Sequence, residues 1–276
     1  MTTIPRALSR ATNELDRTSD TPRLDAELLM AEALDIDRDR LILSPPNGDA
    51  PERFFEMLER RKAGEPVAYI TGRRAFWNVE LHVGPGVLIP RPDSEVLISS
   101  ALEHFEGTDG PRRILDLGTG PGTLLLAALD LWPKATGLGV DMSEQALGYA
   151  AANARRLGLE PRVVLQEGDW AKGIGDTFDL ILCNPPYVAE DAVLGPGVRE
   201  YEPDEALFAG KEGLDAYLEL APQLPRLLNP GGLAAVEIGH DQAEPVTGLL
   251  SRDGLAARVA NDLGGRPRAL LLSWTT

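Results

Sequence analysis

Apolar residues open the chain at helical spacing. Ile4, Ala7, Leu8, Ala11 and Leu15 fall three and four apart and line one helix face. Leu24, Leu28, Leu29, Ala31 and Leu34 predict a second helix, with Pro22 near its start, where a missing N–H costs little. A short helical piece from Arg38 to Leu43 stops at the breaker cluster Ser44-Pro45-Pro46-Asn47-Gly48. Residues 51–62 predict another amphipathic helix, with Gly64 as its C-terminal stop. Residues 1–66 therefore read as a small helical bundle.

The pattern then changes. Phe76, Trp77, Val79, Leu81 and Val83 predict a strand, Gly84-Pro85-Gly86 a turn and Val87-Leu88-Ile89 a returning strand, so residues 67–92 are expected to form a β-hairpin linker. Pro90-Arg91-Pro92 ends it, and Asp93 or Ser94 is placed to cap a helix over residues 95–105. From residue 111 apolar runs at 114–117, 137–140, 163–165, 178–182 and 233–238 alternate with helical stretches at 123–131, 144–157 and 214–228. This alternation predicts an α/β domain over residues 93–276: a mostly parallel sheet with helices on both faces. Two last strand candidates, 256–259 and 269–274, flank Gly264-Gly265 and are expected to pair antiparallel at the sheet edge.

Composition narrows the class. The 276 residues are 43% hydrophobic and 25% charged, enough to build cores and unlike a disordered chain. The formal net charge is −16, which counts against a nucleic-acid partner gripped through a basic surface. A single cysteine, Cys183, excludes an intramolecular disulfide, and His82, His104 and His240 have no metal-ligand spacing, so no metal is expected. The first ten residues carry no apolar signal-peptide stretch, and no apolar run approaches the roughly 18 residues of a membrane helix. A cytoplasmic protein without membrane contact is the expectation.

Candidate chemistry gathers at strand ends. Asp116 leads into Gly118-Thr119-Gly120-Pro121-Gly122, a glycine loop between a strand and a helix. Its G-x-G-x-G spacing differs from the dinucleotide fingerprint G-x-G-x-x-G, with Thr123 where the third glycine would stand, which argues against a nicotinamide dehydrogenase. Asp116 can accept from loop amides or a cationic ligand group. Asp141 ends the second strand, 23 residues after Gly118, where an acid can hold ribose hydroxyls; Ser143 can cap the next helix without it. Asp169 and Trp170 close the third strand, an acceptor and a flat ring at the ligand-binding end of an open sheet. Asn184-Pro185-Pro186-Tyr187 follows the fourth strand. The two prolines stiffen the segment and remove two donors. The Asn184 side-chain oxygen and the Pro185 carbonyl can then accept both hydrogens of a planar NH₂ group, against the wall of Tyr187. Positioning such a poor nucleophile against an activated electrophile is the catalytic lever this cup offers.

Asp116 to Gly122, Asp141 and Asn184 to Tyr187 resemble the three signatures of S-adenosylmethionine-dependent methyltransferases that modify planar amino groups. Glu65-Pro66-Val67-Ala68-Tyr69-Ile70-Thr71-Gly72, Phe76-Trp77, Leu88-Ile89-Pro90-Arg91-Pro92-Asp93-Ser94-Glu95, Tyr201-Glu202-Pro203 and Gly213-Leu214-Asp215-Ala216-Tyr217 resemble, more specifically, the protein-glutamine methyltransferases that act on peptide chain release factors. The likeness spans essentially the whole chain. It implies a class I, Rossmann-like methyltransferase fold and transfer of a methyl group to the side-chain amide of the Gly-Gly-Gln glutamine. S-adenosyl-L-homocysteine would be the product. It further implies that Gly118, Thr119, Gly120, Pro121 and Gly122, with Asp116, line the methionine part of the cofactor. Asp141 takes the ribose, and Asp169 and Trp170 sit at the adenine. Asn184 and Pro185 are the catalytic pair, Asn184 also bordering the cofactor, and Pro186 and Tyr187 complete the glutamine site. The helical N-terminal domain would dock the protein substrate. Pro121 departs from relatives, which often have a small polar residue there. Two other classes remain open on the residues alone: a DNA or RNA amino-group methyltransferase, which shares the tetrapeptide, and a non-catalytic domain of the same fold.

Overall fold

Residues 2–275 are described here by a computed structural model; Met1 and Thr276, the outermost residues of the expected 1–66 and 93–276 segments, lie outside the described residues. The chain divides into two units. The first reaches to Arg73 and takes in Val193–Glu202, and the second comprises Arg74–Ala192 and the chain from Pro203 onward. The division thus falls at residue 73 rather than 66, because a further helix precedes it.

The first unit contains α1 (Ile4–Leu15), α2 (Pro22–Leu34), α3 (Arg38–Leu43), α4 (Glu52–Lys62), α5 (Val67–Thr71) and the single turn α9 (Val198–Tyr201). The apolar face of α1 is buried as its spacing predicts, packed with Leu29, Met30, Phe54, Met57 and Ile70. In α2 the expected face holds only in part: Leu29 and Ala31 are buried and Leu34 packs against the core, but Leu24 is exposed, and Ala26 and Met30 are buried together with Asp25 and Glu27. Apolar residues surround most of that helix, so their spacing selects no single face. The two buried acids tip the choice, because each finds an arginine: Asp25 pairs with Arg61 at 2.7 Å and Glu27 with Arg38 at 2.7 Å. Unpaired, either charge would be costly to bury. The 193–202 segment is tied to the end of α4, where the Tyr201 hydroxyl donates to the Ala63 carbonyl at 3.3 Å.

The second unit begins within a two-stranded hairpin, β1 (Arg73–Phe76) and β2 (Val79–His82), of which only Arg73 falls in the first. Its reversal is at Trp77-Asn78, with Trp77 at φ 52° and its amide donating to Glu95 Oε1 at 3.1 Å. This corrects the expected hairpin: residues 87–89 form no strand. Gly84-Pro85-Gly86 does form the expected turn, with the Val87 amide donating to the Gly84 carbonyl at 3.4 Å, and it also allows close approach. A Cβ on Gly84 would lie 2.3 Å from the Tyr149 hydroxyl, and the Pro85 carbonyl accepts from Gln145 Nε2 at 2.8 Å.

Then follow α6 (Glu95–His104), β3 (Arg113–Leu117), α7 (Thr123–Leu131), β4 (Thr136–Asp141), α8 (Glu144–Arg156), β5 (Val163–Glu167), β6 (Phe178–Cys183), α10 (Asp215–Leu220), α11 (Leu224–Leu227), β7 (Leu228–Glu237), α12 (Ala243–Leu250), β8 (Leu255–Asn261) and β9 (Pro267–Trp274). The expected 214–228 helix is two helices, and α12 is additional. The sheet has seven strands in the order β5-β4-β3-β6-β7-β9-β8, parallel from β5 to β7. Strand β9 inserts antiparallel between β7 and β8, so the expected antiparallel pair lies at the edge. The central strands β3 and β6 and the C-terminal part of β7 are buried on both faces and read as continuous apolar runs for that reason. Chain order reverses between β3 and β6, the position where open α/β sheets bind ligands.

Helix α7 packs so closely on β4 that a Cβ at Gly137 would stand 2.5 Å from Cδ1 of the fully buried Leu125. Gly137→Ala is expected to cost about 1–3 kcal/mol through overpacking. Gly148, exposed within α8 and open on all sides, is the internal control. Gly148→Ala should stabilise by about 0.4–1 kcal/mol. Urea unfolding of the two variants checks both signs.

Candidate active site

The register of the parallel strands aligns their ends in one row. Leu117 of β3 stands opposite both Val140 of β4 and Cys183 of β6, and Cys183 stands opposite Val236 of β7. The next residue on each strand is Gly118, Asp141, Asn184 and Glu237. Four residues far apart in sequence therefore sit side by side at the carboxyl edge of the sheet.

Gly118, Gly120 and Gly122 all have φ in the left-handed region, at 72°, 56° and 87°. A Cβ at Gly120 would enter open space, whereas one at Gly122 would lie 2.8 Å from Leu126 Cδ1. Pro121 is buried, and its carbonyl accepts from Asn153 Nδ2 at 2.9 Å. The same Asn153 holds the backbone of His82 on β2 through both amide ends, so the loop is anchored to the hairpin. Asp116 is buried. Its Oδ2 accepts from the Thr119 hydroxyl at 2.7 Å and the Leu125 amide at 3.2 Å, and its Oδ1 is buried without a partner. Burial, with a smaller push from Asp141, raises its pKa to about 7.

Asp141 is half-buried and already at work in the loop. Its Oδ2 accepts from the Gly120 amide at 2.8 Å and its Oδ1 from the Ser143 amide at 2.9 Å. Ser143 caps α8 through the Ala146 amide, independently of Asp141. Each carboxylate oxygen of Asp141 keeps a second lone pair for a hydroxyl. Trp170, itself at φ 51°, places its ring near Gly118: a Cβ there would be 3.7 Å from Trp170 Cζ3. Asp169 is exposed and ion-paired with Lys172.

Asn184 Nδ2 donates to Ser94 Oγ at 3.1 Å, and Pro185 is buried behind it. Ser94 therefore does not cap α6, as its position suggested; its hydroxyl faces the tetrapeptide instead. The Tyr187 hydroxyl donates to Glu237 Oε1 at 3.2 Å. Burial first, then the charge of Glu237, pushes the Tyr187 phenol well above its ordinary value, so it stays protonated. The Tyr187 carbonyl accepts from Gln242 Nε2 at 3.1 Å, and Gly213 packs so tightly here that a Cβ would meet that carbonyl oxygen at 2.2 Å. Glu237 is 1% exposed. Burial raises its pKa to about 7, opposed by Ser94, Arg268 and Tyr187.

A cleft opens beside these groups. Leu88, Pro90, Arg91 and Ser94 line one side, and Asp116, the glycine loop and Asn184 the other. The buried, unpartnered Asp116 oxygen and the open space over Gly120 suit a ligand with a cationic group that needs close backbone approach. The structure thus brings the glycine loop, Asp141, Trp170 and Asn184 together and leaves Asp169 turned to Lys172. Ser94, Glu237, Asn153 and Arg268 were not anticipated as site residues. The signal available for Glu237 was an acid inside an otherwise apolar strand run.

A family described as PrmC N-terminal domain matches residues 6–72, and one described as Methyltransferase domain matches residues 109–249. Among solved structures, the ribosomal protein L11 methylase of Lactobacillus delbrueckii subsp. bulgaricus shares the fold at TM-score 0.51 and 22% identity, over 67% of this chain and 81% of that one. The T. thermophilus 16S rRNA N2 G1207 methyltransferase, solved with AdoMet and guanosine, does so at TM-score 0.52 and 22% identity, over 74% and 50%. Fold and glycine loop thus define a methyltransferase domain. The release factor glutamine methyltransferase of Caulobacter vibrioides is 42% identical over 98% of this chain and 96% of its own length. That of Rhodospirillum rubrum is 44% identical over 91% and 78%. The chain belongs to the release factor glutamine methyltransferase family.

Asp116 and Glu237 both carry pKa values raised by burial to about 7, against roughly 3.9 and 4.3 for the free side chains. Between those limits the folded protein binds protons that the unfolded chain has released, so stability falls as pH rises from about 4 to about 7. Asp116→Asn and Glu237→Gln should each flatten that slope. Denaturant unfolding across the window measures it, and slopes equal to that of the unaltered protein would refute the assignment.

Proposed function

We propose that this protein transfers a methyl group from S-adenosylmethionine to the side-chain amide nitrogen of the glutamine in the Gly-Gly-Gln motif of bacterial peptide chain release factors. The observation that carries the reading is the placement of Asn184 and the glycine loop on the same cleft, at the point where strand order reverses. The relatives named for this reaction support the choice of acceptor. A release-factor substrate makes the cytoplasm the working compartment.

In this reading Asp116 and the loop residues Gly118, Thr119, Gly120, Pro121 and Gly122 hold the methionine end of the cofactor, with the Asp116 carboxylate facing its ammonium. Asp141 accepts from the ribose, and Trp170 with Asp169 borders the adenine. The bound cofactor supplies a methyl group on a sulfonium centre, an electrophile strong enough for an amide nitrogen. Asn184 Oδ1 and the Pro185 carbonyl each accept one hydrogen of the glutamine amide. Pro186 and Tyr187 fix its plane. Two acceptors set out of that plane bias the nitrogen toward a pyramidal shape and localise its lone pair. No side chain needs to act as a base, because the proton can leave to water once transfer has made the nitrogen acidic. Catalysis is then alignment, which can supply several kcal/mol of barrier reduction on its own. The helical unit, matched to the PrmC N-terminal domain, serves to dock the protein substrate.

Incubation with labelled S-adenosylmethionine and a release factor should label that factor. The same factor with its Gly-Gly-Gln glutamine replaced, and duplex DNA, should stay unlabelled; label on either would overturn the reading. Asn184→Ala should lower turnover by about 10²-fold. Cofactor affinity by calorimetry should stay within a few-fold, and an unchanged turnover would exclude the tetrapeptide as the amide site.

A further inference from the structure

The glycine loop is held from two directions. As far as Gly120 the end of β4 holds it. The amides of Gly118 and Thr119 both donate to the Val140 carbonyl at 2.9 Å, and the Gly120 amide donates to Asp141 Oδ2 at 2.8 Å. Pro121 has no N–H, so it offers the strand end no donor. Its carbonyl is taken instead by Asn153 Nδ2 at 2.9 Å, from the C-terminal part of α8. A peptide unit is planar, so fixing that oxygen also orients the Gly122 N–H on the other side of the plane. That N–H donates to the Thr119 carbonyl at 2.9 Å and closes the loop.

The Asn153 side chain is locked in this role. It is 0% exposed. Its Oδ1 accepts from the His82 amide at 2.7 Å and its Nδ2 donates to the His82 carbonyl at 3.0 Å, so the end of β2 fixes which end of the amide is which. Reversed, the side chain would set NH₂ against an N–H and an oxygen against two carbonyls. The second Nδ2 hydrogen is therefore aimed at Pro121 by a residue outside the loop. Asparagine is a poor helix former and costly to bury, and these three bonds offset that cost at position 153.

We propose that Asn153 is a positioning residue for the cofactor: by holding the Pro121 carbonyl it keeps residues 120–122 in the conformation that receives the methionine end of S-adenosylmethionine. This rests on the cofactor placement in the reading above and adds a residue to it. Gly118, Gly120 and Gly122 stand at φ 72°, 56° and 87°. Glycine enters and leaves that region at little cost, so the loop's own sequence does not select the conformation. A binding conformation populated only in part binds more weakly in proportion. The tie at Pro121 therefore acts on cofactor affinity, whereas the acceptor amide is held at the end of β6 by Asn184 and its prolines.

The test is calorimetric titration of the full-length protein with S-adenosyl-L-homocysteine at a temperature where every variant is folded, joined to steady-state kinetics with a release factor. Asn153→Ala should weaken binding by about 5- to 30-fold. Asn153→Asp, which keeps the acceptor for His82 and loses both donors, should weaken it to a similar extent. Leu272→Ala, at a fully buried position of β9, lowers stability away from the loop and should keep Kd within about twofold. In both Asn153 variants KM for S-adenosylmethionine should rise, while kcat at saturating cofactor and KM for the release factor stay within about threefold. Hydrogen exchange on the unaltered protein needs no variant to fold. S-adenosyl-L-homocysteine should slow the His82 amide, which Asn153 holds, about threefold more than the Trp77 amide, which Glu95 holds at the reversal of the same hairpin. Equal slowing of the two amides would overturn the proposal. So would Asn153 variants with the Kd of the unaltered protein, or a Leu272 variant that loses affinity as they do. An unaltered protein that binds no cofactor would instead refute the placement in the reading above, which separates the two failures.

Discussion

The pairing of Leu117 with both Val140 and Cys183, and of Cys183 with Val236, is the constraint from which the site follows. Parallel strands in one register end at one level. Whatever residue comes next on each strand is then a neighbour of the others, however distant in the chain. Gly118, Asp141, Asn184 and Glu237 owe their proximity to that backbone ladder rather than to any attraction among them. A slip of one residue between β3 and β6 would turn every side chain of the shifted strand to the opposite face of the sheet. The buried apolar positions on both sheet faces resist such a slip, so the core holds the site in register. The reversal of strand order between β3 and β6 adds the gap in which a ligand can lie, because the following segments leave toward opposite faces.

Polar groups at the floor of this cleft are conspicuously under-solvated. Asp116 near the end of β3 and Glu237 at the end of β7 are each nearly inaccessible, and each has one oxygen unpartnered. Such groups lower the stability of the free protein, since a buried charge loses its hydration. Asp116 borders the cleft, and Glu237 accepts from the Tyr187 hydroxyl. Arg268 gives Glu237 an opposite charge from β9, the strand that interrupts the parallel pattern. The antiparallel insertion thus does more than close the sheet edge.

Much of this could be read in the sequence, and for identifiable reasons. Parallel strands buried on both faces show as apolar runs, the G-x-G-x-G loop is local, and Asn184-Pro185-Pro186-Tyr187 carries its stiffness in its own prolines. What escaped was non-local or locally disguised. The hairpin lies earlier than expected because its reversal uses Trp77 in a left-handed conformation, while the turn at Gly84-Pro85-Gly86 leads into a segment that pairs with no strand. Helix α12 contains Pro245 and Gly248 and so looks like a loop, although a proline is tolerated in a first turn. Residues 193–202 belong to the helical unit despite lying far along the chain. Ser94 read as a helix cap because nothing nearby in sequence reveals a partner 90 residues away.

Rigidity is the common property of the parts around Asn184. Pro185 and Pro186 fix φ on one side. On the other, Gln242 donates to the carbonyls of Tyr187 and Gly213 and accepts from the Gly239 amide at 3.0 Å, closing the segment onto the end of β7. Gly213 is required there because any side chain would collide with the Tyr187 carbonyl. A site whose chemistry is alignment gains little from a strong base and much from a backbone that cannot relax. An error of about 1 Å in the acceptor nitrogen is enough to forfeit most of the advantage. The structure accordingly places hydrogen bonds from Gln242 behind the tetrapeptide, and no histidine or cysteine lines the cleft among the described residues.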